Sequence, residues 1–226
     1  MTVTEQSVYD LINPQGTVMK QHFVDYFSGN DLNRFVWGKI LVGGGTAVMS
    51  DSVDGGLVIT NPAASLNAIC IAFNGNATNN VSPMAVRQFD HSGSAFIVVE
   101  KFDTFSNYTN GDGAWTGFSS DANLSAGGIN TCMVGLKGNE TDYRLQTTDG
   151  SGSQGRHATG LTADTNWHTH KVELTGSLAK LTIDGILRLT HDGQLPQGKM
   201  GINISAVGDG SNVATTYVRY LEAWNT

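Results

Sequence analysis

Two histidines and two acids are the residues whose spacing first suggests chemistry. His168 and His170 stand two apart in the run Trp167 to Thr190, WHTHKVELTGSLAKLTIDGILRLT. On a β-strand that spacing puts both imidazoles on one face. A transition-metal centre there needs a third ligand and a second shell of hydrogen bonds; only the distant His157 and His191 offer one, so the pair reads as partly buried or cleft-lining. Glu100 and Asp103 are the nearest carboxylate pair, but three apart on a strand they point to opposite faces. Cys70 and Cys132 lie in apolar, strand-like contexts and read as buried free thiols; a disulfide is not required.

The elements that must position these residues are β-strands. Val172 and Leu174 alternate with Lys171 and Glu173, and Leu181 and Ile183 alternate with Lys180 and Thr182. Thr175-Gly176-Ser177 and Asp184-Gly185 interrupt the runs, which is the pattern of a half-buried antiparallel meander. Asp-Gly suits a type I′ turn, where both central residues need φ > 0. Further strands are expected at 51–60, 94–105, 114–119, 130–136, 142–147, 201–206 and 216–224. An Asn/Gly/Asp loop follows the 94–105 strand. Strands spaced this way, with almost no helical periodicity, predict an all-β sandwich.

Length and charge narrow the function classes. The chain of 226 residues fits one large all-β domain, and its hydrophobic content of 39% suffices for a core without cross-links. A net charge of -7 and no cluster of Lys and Arg in the sequence argue against nucleic-acid binding. No apolar run approaches the ~20 residues of a membrane span. Residues 1–20 read as an arm, with a short helix over 4–12 capped by Thr4. Val8, Leu11 and Ile12 would dock it on the sandwich or on a neighbouring subunit. The start lacks the features of a secretory signal, so cytoplasmic synthesis is expected, with assembly on a particle surface as one destination. The main domain is expected over 21–226.

A resemblance becomes specific over residues 22–60. Phe23 to Trp37 and the Gly55-Gly56-Leu57-Val58-Ile59 run follow the order F-x-x-x-F-S-G-x-x-L-x(4)-W … G-G-L-x-I. This resembles the opening of the concanavalin A-like lectin/glucanase superfamily, and the later strands keep the same plan to residue 226. The resemblance implies a two-sheet antiparallel jelly roll, of the kind also seen in laminin-G-like domains.

The superfamily's glucanases carry E-x-D-x-x-E on one strand, with one carboxylate as nucleophile and one as general acid. By strand order that segment falls near Asn130–Leu136, which holds no acid. The strand motifs of the alginate-lyase branch are also missing from the sequence. The loop from Val99 to Asn107 is similar to the metal loop of legume lectins. That similarity implies calcium bound by Asp103, Asn107 and Asp112, oxygen donors of the kind calcium prefers. Lys101 is inserted relative to that loop and Gly117 stands where its His would be, so a plain polar hairpin loop remains the alternative. Tyr108, Trp115 and Tyr143 are candidate stacking platforms for sugar rings, each with core packing as the alternative. Asn203 is among six Asn-x-Ser/Thr sequons, which chance in an Asn-, Ser- and Thr-rich β protein explains.

Together these readings predict a non-catalytic module that recognises a glycan or polysaccharide surface and needs no cofactor beyond a calcium ion. One alternative is a structural decoration protein such as a virion component, forming homo-oligomers or particle contacts through the arm. The other is a diverged polysaccharide-cleaving enzyme, in which Glu100, Asp103 or Glu173 would have to converge on one cleft.

Overall fold

The computed structural model describes residues 22–33, 36–41, 44–50, 55–61, 68–72 (backbone), 89–103, 113–121, 129–137, 140–151, 155–207 and 213–226. The expected N-terminal arm and its helix over 4–12 lie outside these residues. Among the described residues there are 15 strands. They are β1 (His22–Asp25), β2 (Trp37–Leu41), β3 (Thr46–Ser50), β4 (Gly56–Asn61), β5 (Ala68–Ala72), β6 (Ser94–Asp103), β7 (Gly113–Ser119) and β8 (Asn130–Lys137), then β9 (Asp142–Asp149), β10 (Gly155–Thr162), β11 (His168–Leu174), β12 (Ala179–Ile183), β13 (Ile186–His191), β14 (Gly201–Val207) and β15 (Ala214–Asn225). No described helix is long and apolar enough to cross a membrane.

The strands pair antiparallel in two sheets. An eight-stranded sheet has the order β13-β12-β11-β6-β15-β4-β3, with β1 on a further stretch of β15. A seven-stranded sheet has the order β10-β9-β8-β7-β14-β5-β2. Period-2 alternation turns Leu57, Ile59, Phe96, Val98 and Val172 inward from the first sheet, where they meet Phe118, Val134, Leu145, Ile202 and Ile204 from the second. Facing layers of branched and aromatic residues close one core between the sheets. The expected all-β sandwich is the observed fold.

The 168–190 meander forms as its pattern requires. Asp184 and Gly185 both take positive φ, 51° and 79°, and Ile183 pairs with Ile186 across them, so the hairpin twists with its strands. Cys132 is a buried free thiol, as expected; the Cys70 side chain lies outside the described residues. β10 is a strand that the sequence pattern does not announce. Apart from Leu161 its residues are small or polar, and most are partly exposed, which is what an edge strand tolerates and what hides it from a hydrophobic alternation test.

Candidate functional site

Glu100, Asp103 and Glu173 do not converge on one cleft. Glu100 points between the sheets and is fully buried. Asp103 ends the same strand with its side chain exposed, on the opposite face. Glu173 faces outward, pairs with Lys171 at 2.8 Å, and lies in register with Ala95 near the far end of β6. Glu100 instead accepts a hydrogen bond from Thr116 of the facing sheet at 2.5 Å and shares one with His170 Nδ1 at 2.8 Å. His170 is fully buried, stacks on Phe102 and meets the edge of Tyr143. Solvent does not reach this group, so it ties the sheets together.

His168 and His170 share a face as their spacing requires, with rings 6.2 Å apart and nearly parallel. Neither meets a metal set. His168 is held between Asp184 (2.6 Å from Nδ1) and Asp164 (2.9 Å from Nε2). Burial alone would lower its pKa, but the two carboxylates outweigh it and the net shift is upward. His157 and His191 stack on each other at 3.5 Å and supply no third ligand. Among the described residues, no three His, Cys, Asp or Glu side chains gather as a metal site. Of the implied calcium ligands only Asp103 is described; Asn107 and Asp112 lie outside, as does Tyr108.

The side of the seven-stranded sheet turned away from the core carries a different set. Register places Thr131, Met133, Gly135 and Lys137 of β8 beside Gly113, Trp115, Gly117 and Ser119 of β7, and β9 adds Arg144, Gln146 and Thr148. Trp115 lies flat here. A methyl group on Gly113 would sit 2.6 Å from its Nε1, and one on Gly135 would sit 2.8 Å from its Cε3, so both glycines make room for the indole. The Trp115–Met133 contact is separate from the main core. Asn203 of β14 stands opposite Gly117, fully buried, and neither its amide oxygen nor its nitrogen has a hydrogen-bond partner among the described residues. The same burial rules out Asn203 as a glycan acceptor in the folded chain.

At the β8–β9–β10 margin this face becomes cationic. Arg156 donates to Gln146 at 3.2 Å, and Arg144 lies 3.3 Å from Glu140. Lys137 stands on the same face, two residues along β8 from the partner of Arg144. Desolvation and the neighbouring Arg156 hold the Lys137 pKa below the usual ammonium range; desolvation likewise lowers that of Arg156, with Arg144 adding to it against the opposing pull of Glu140. Three cations on three strands are invisible in the sequence, because only the register brings them together.

The premise that Trp115 and Tyr143 are exposed platforms is corrected. Trp115 is 5% exposed and Tyr143 is fully buried. Tyr143 belongs to the core, beside Phe102 and both histidines of β11. The signal was present: Tyr143 alternates in phase with Leu145, and Arg144 with Gln146. Trp115 does face away from the core, as its phase with Gly117 allowed, but it is covered.

No protein-family model and no curated protein matches the chain. Solved structures do. A β-glucanase of Bacillus licheniformis aligns over 91% of this chain and 98% of its own, with a TM-score of 0.60 and 13% identity. A Clostridium perfringens endo-β-galactosidase that releases GlcNAcα1-4Gal aligns over 95% of this chain and 65% of its own, with a TM-score of 0.60 and 13% identity. A glycosyl hydrolase family protein of Mycobacterium fortuitum aligns over 89% and 98%, with a TM-score of 0.58 and 18% identity. Identities this low speak for the backbone alone. The chain has the concanavalin A-like β-sandwich fold.

Proposed function

We propose that the protein is a non-catalytic carbohydrate-recognition module that holds a glycan at the β8–β9–β10 margin of the seven-stranded sheet. The observation that carries this reading is the margin of Lys137, Arg144 and Arg156, with Glu140 and Gln146 interleaved. Planar guanidinium, carboxylate and amide groups held in fixed orientation are the donors and acceptors that sugar hydroxyls pair with. By strand order the acids of the glucanases would fall on β8, whose outward residues here are Thr131, Met133 and Gly135, which supports binding over hydrolysis. The solved structures named above act on glycans, which favours the same ligand class.

A glycan array with the purified chain, in calcium and then in chelator, tests the reading. The expected result is binding to at least one glycan class, weakened about tenfold or more, roughly 1.4 kcal/mol, in Lys137→Ala/Arg156→Ala. Polysaccharide shortened by the pure protein, followed by size exclusion, would replace binding with catalysis. An array without signal would favour a structural decoration protein.

A further inference from the structure

The opposite sheet carries a surface depression where the fold changes partners. β15 pairs with β4 up to Val218, opposite Leu57, and with β1 from Leu221, opposite Asp25. Between these stretches the register of β15 against β6 also shifts, so that Arg219 is the bulged residue. Bulges re-aim a side chain and recur beside binding sites. Beside the break lies an open surface depression of about 410 Å³, lined by Tyr26, Ser28, Gly29, Ser50, Gly56 and Arg219 among others. That volume is within the range of small-molecule sites.

The walls are built to hold their shape. Asp25 accepts the Phe27 N–H at 2.7 Å and the Trp37 indole N–H at 2.7 Å. Phe27 is locked at φ 45° with its ring buried, a left-handed conformation that persists only where the surroundings enforce it. Gly56, at φ 103°, has the Val218 carbonyl oxygen 2.3 Å from where a methyl group would stand, so only glycine permits the bulge to sit this close.

This strained turn presents Tyr26, an aromatic ring that is 68% exposed. Its ring packs at 5.2 Å on Tyr220, whose hydroxyl donates to Glu222 at 2.6 Å; Glu222 in turn pairs with His22 at 2.7 Å. The Arg219 guanidinium lies over the Trp167 ring, 3.9 Å from its centroid. The arrangement is one open aromatic face, one planar donor fork fixed by stacking, and the hydroxyls of Ser28 and Ser50. An aromatic face with its negative quadrupole takes the C–H face of a sugar ring, while guanidinium and hydroxyls pair with equatorial hydroxyls.

We infer that this depression is a second saccharide subsite, which takes a neutral pyranose with its ring on Tyr26 and its hydroxyls on Arg219, Ser28 and Ser50. The inference rests on the carbohydrate-recognition reading above, and it makes the module bivalent, with one site on each sheet. Two sites on opposite sides let one chain bridge two glycan strands and raise avidity on a repetitive surface.

The test uses the intact chain with a panel of neutral linear hexasaccharides (cello-, laminari-, manno-, xylo- and chitohexaose) under isothermal titration and backbone amide NMR. The expected result is that one of these probes shifts the amides of Gly29, Ser50 and Gly55. Tyr26→Ala and Arg219→Gln should each weaken that event about tenfold or more, while Lys137→Ala/Arg156→Ala leaves it unchanged. Matching far-ultraviolet spectra and melting temperatures show that these variants fold. A probe that binds equally well to wild type, Tyr26→Ala and Arg219→Gln overturns the second subsite and leaves the first reading standing. A titration with that event alone, and no second event for Lys137→Ala/Arg156→Ala to weaken, keeps the subsite and removes the other face; two events, each weakened by its own variants, uphold both. Silence across the panel overturns the subsite for neutral sugars, and the glycan array then decides the first reading alone.

Discussion

Glu100 and His170, on neighbouring strands of the eight-stranded sheet, share a 2.8 Å hydrogen bond from which solvent is fully excluded. Thr116 reaches the same carboxyl from the opposite sheet, so the Glu100 group links both layers of the sandwich. Removing one partner leaves the others buried and unpaired, which costs more than the hydrogen bond itself contributes. Glu100→Leu is therefore expected to lose about 2–4 kcal/mol in urea unfolding. Glu100→Gln, which keeps an acceptor for Thr116, should lose less. A cycle combining Glu100→Leu with His170→Phe should show coupling above about 1 kcal/mol. Strictly additive losses would mean the pair does not act as a unit.

His168 predicts a pH signature of its own. Its pKa is raised above the ordinary imidazole value of 6.5, burial opposing and the carboxylates of Asp184 and Asp164 prevailing. Those two carboxyls are lowered from 3.8, their hydrogen bonds outweighing the burial that opposes the shift. For the histidine, the folded state binds the proton more tightly, so its contribution is complete below about pH 6.5 and is lost as pH rises through the folded value. For the aspartates the contribution is present above 3.8 and is lost as pH falls through their folded values. The clamp thus contributes most in the window between. The urea midpoint of wild type minus that of His168→Gln should be largest near pH 5–6 and shrink on either side, by roughly the linkage slope. A difference independent of pH would remove the charged clamp from the account.

The fold was legible because buried and exposed residues alternate cleanly where a strand has one wet face, as in Lys171-Val172-Glu173-Leu174. It was less legible in β7, where Trp115 and Phe118 on opposite faces are both buried, and in β10, where few residues are. The cationic margin and the Tyr26 depression were not legible at all. Lys137, Arg144 and Arg156 meet only through strand register, and the Tyr26 depression lies where β15 changes partner between Val218 and Leu221. Tyr143 was legible from its phase with Leu145; naming it a sugar platform set residue type above that phase.

Trp115 depends on the bare backbone beneath it. A methyl group at position 135 would stand 2.0 Å from the Ala114 carbonyl oxygen as well as 2.8 Å from the indole. Gly135→Ala must move both a strand and the ring, and overpacking of this kind costs about 1–3 kcal/mol or more. A shift in tryptophan fluorescence together with a lowered urea midpoint is expected. Gly29→Ala, at φ 111° but with nothing within 4 Å, gives the comparison: backbone strain without a clash, and no change in the Trp115 signal. Equal fluorescence in Gly135→Ala and wild type would mean that the indole does not lie on the sheet as described.

The His157–His191 stack joins the outermost strands of the two sheets, β10 and β13. Burial, then the adjacent His191 and Arg144, hold the His157 pKa below the ordinary imidazole value of 6.5. The sign is opposite to that of His168: the unfolded chain takes up the proton more readily, so this contribution is present above about pH 6.5 and is lost as pH falls. His157→Phe keeps a ring for the stack and removes the titration. Its melting temperature relative to wild type should therefore rise steadily as pH drops from about 7 to about 5, the direction in which the wild-type stack acquires charge. Because His168 titrates alike in both proteins, it cancels in the difference. A variant whose relative stability stayed flat over that range would show that His157 protonates without cost, and that the sheet margins are not held by a neutral stack.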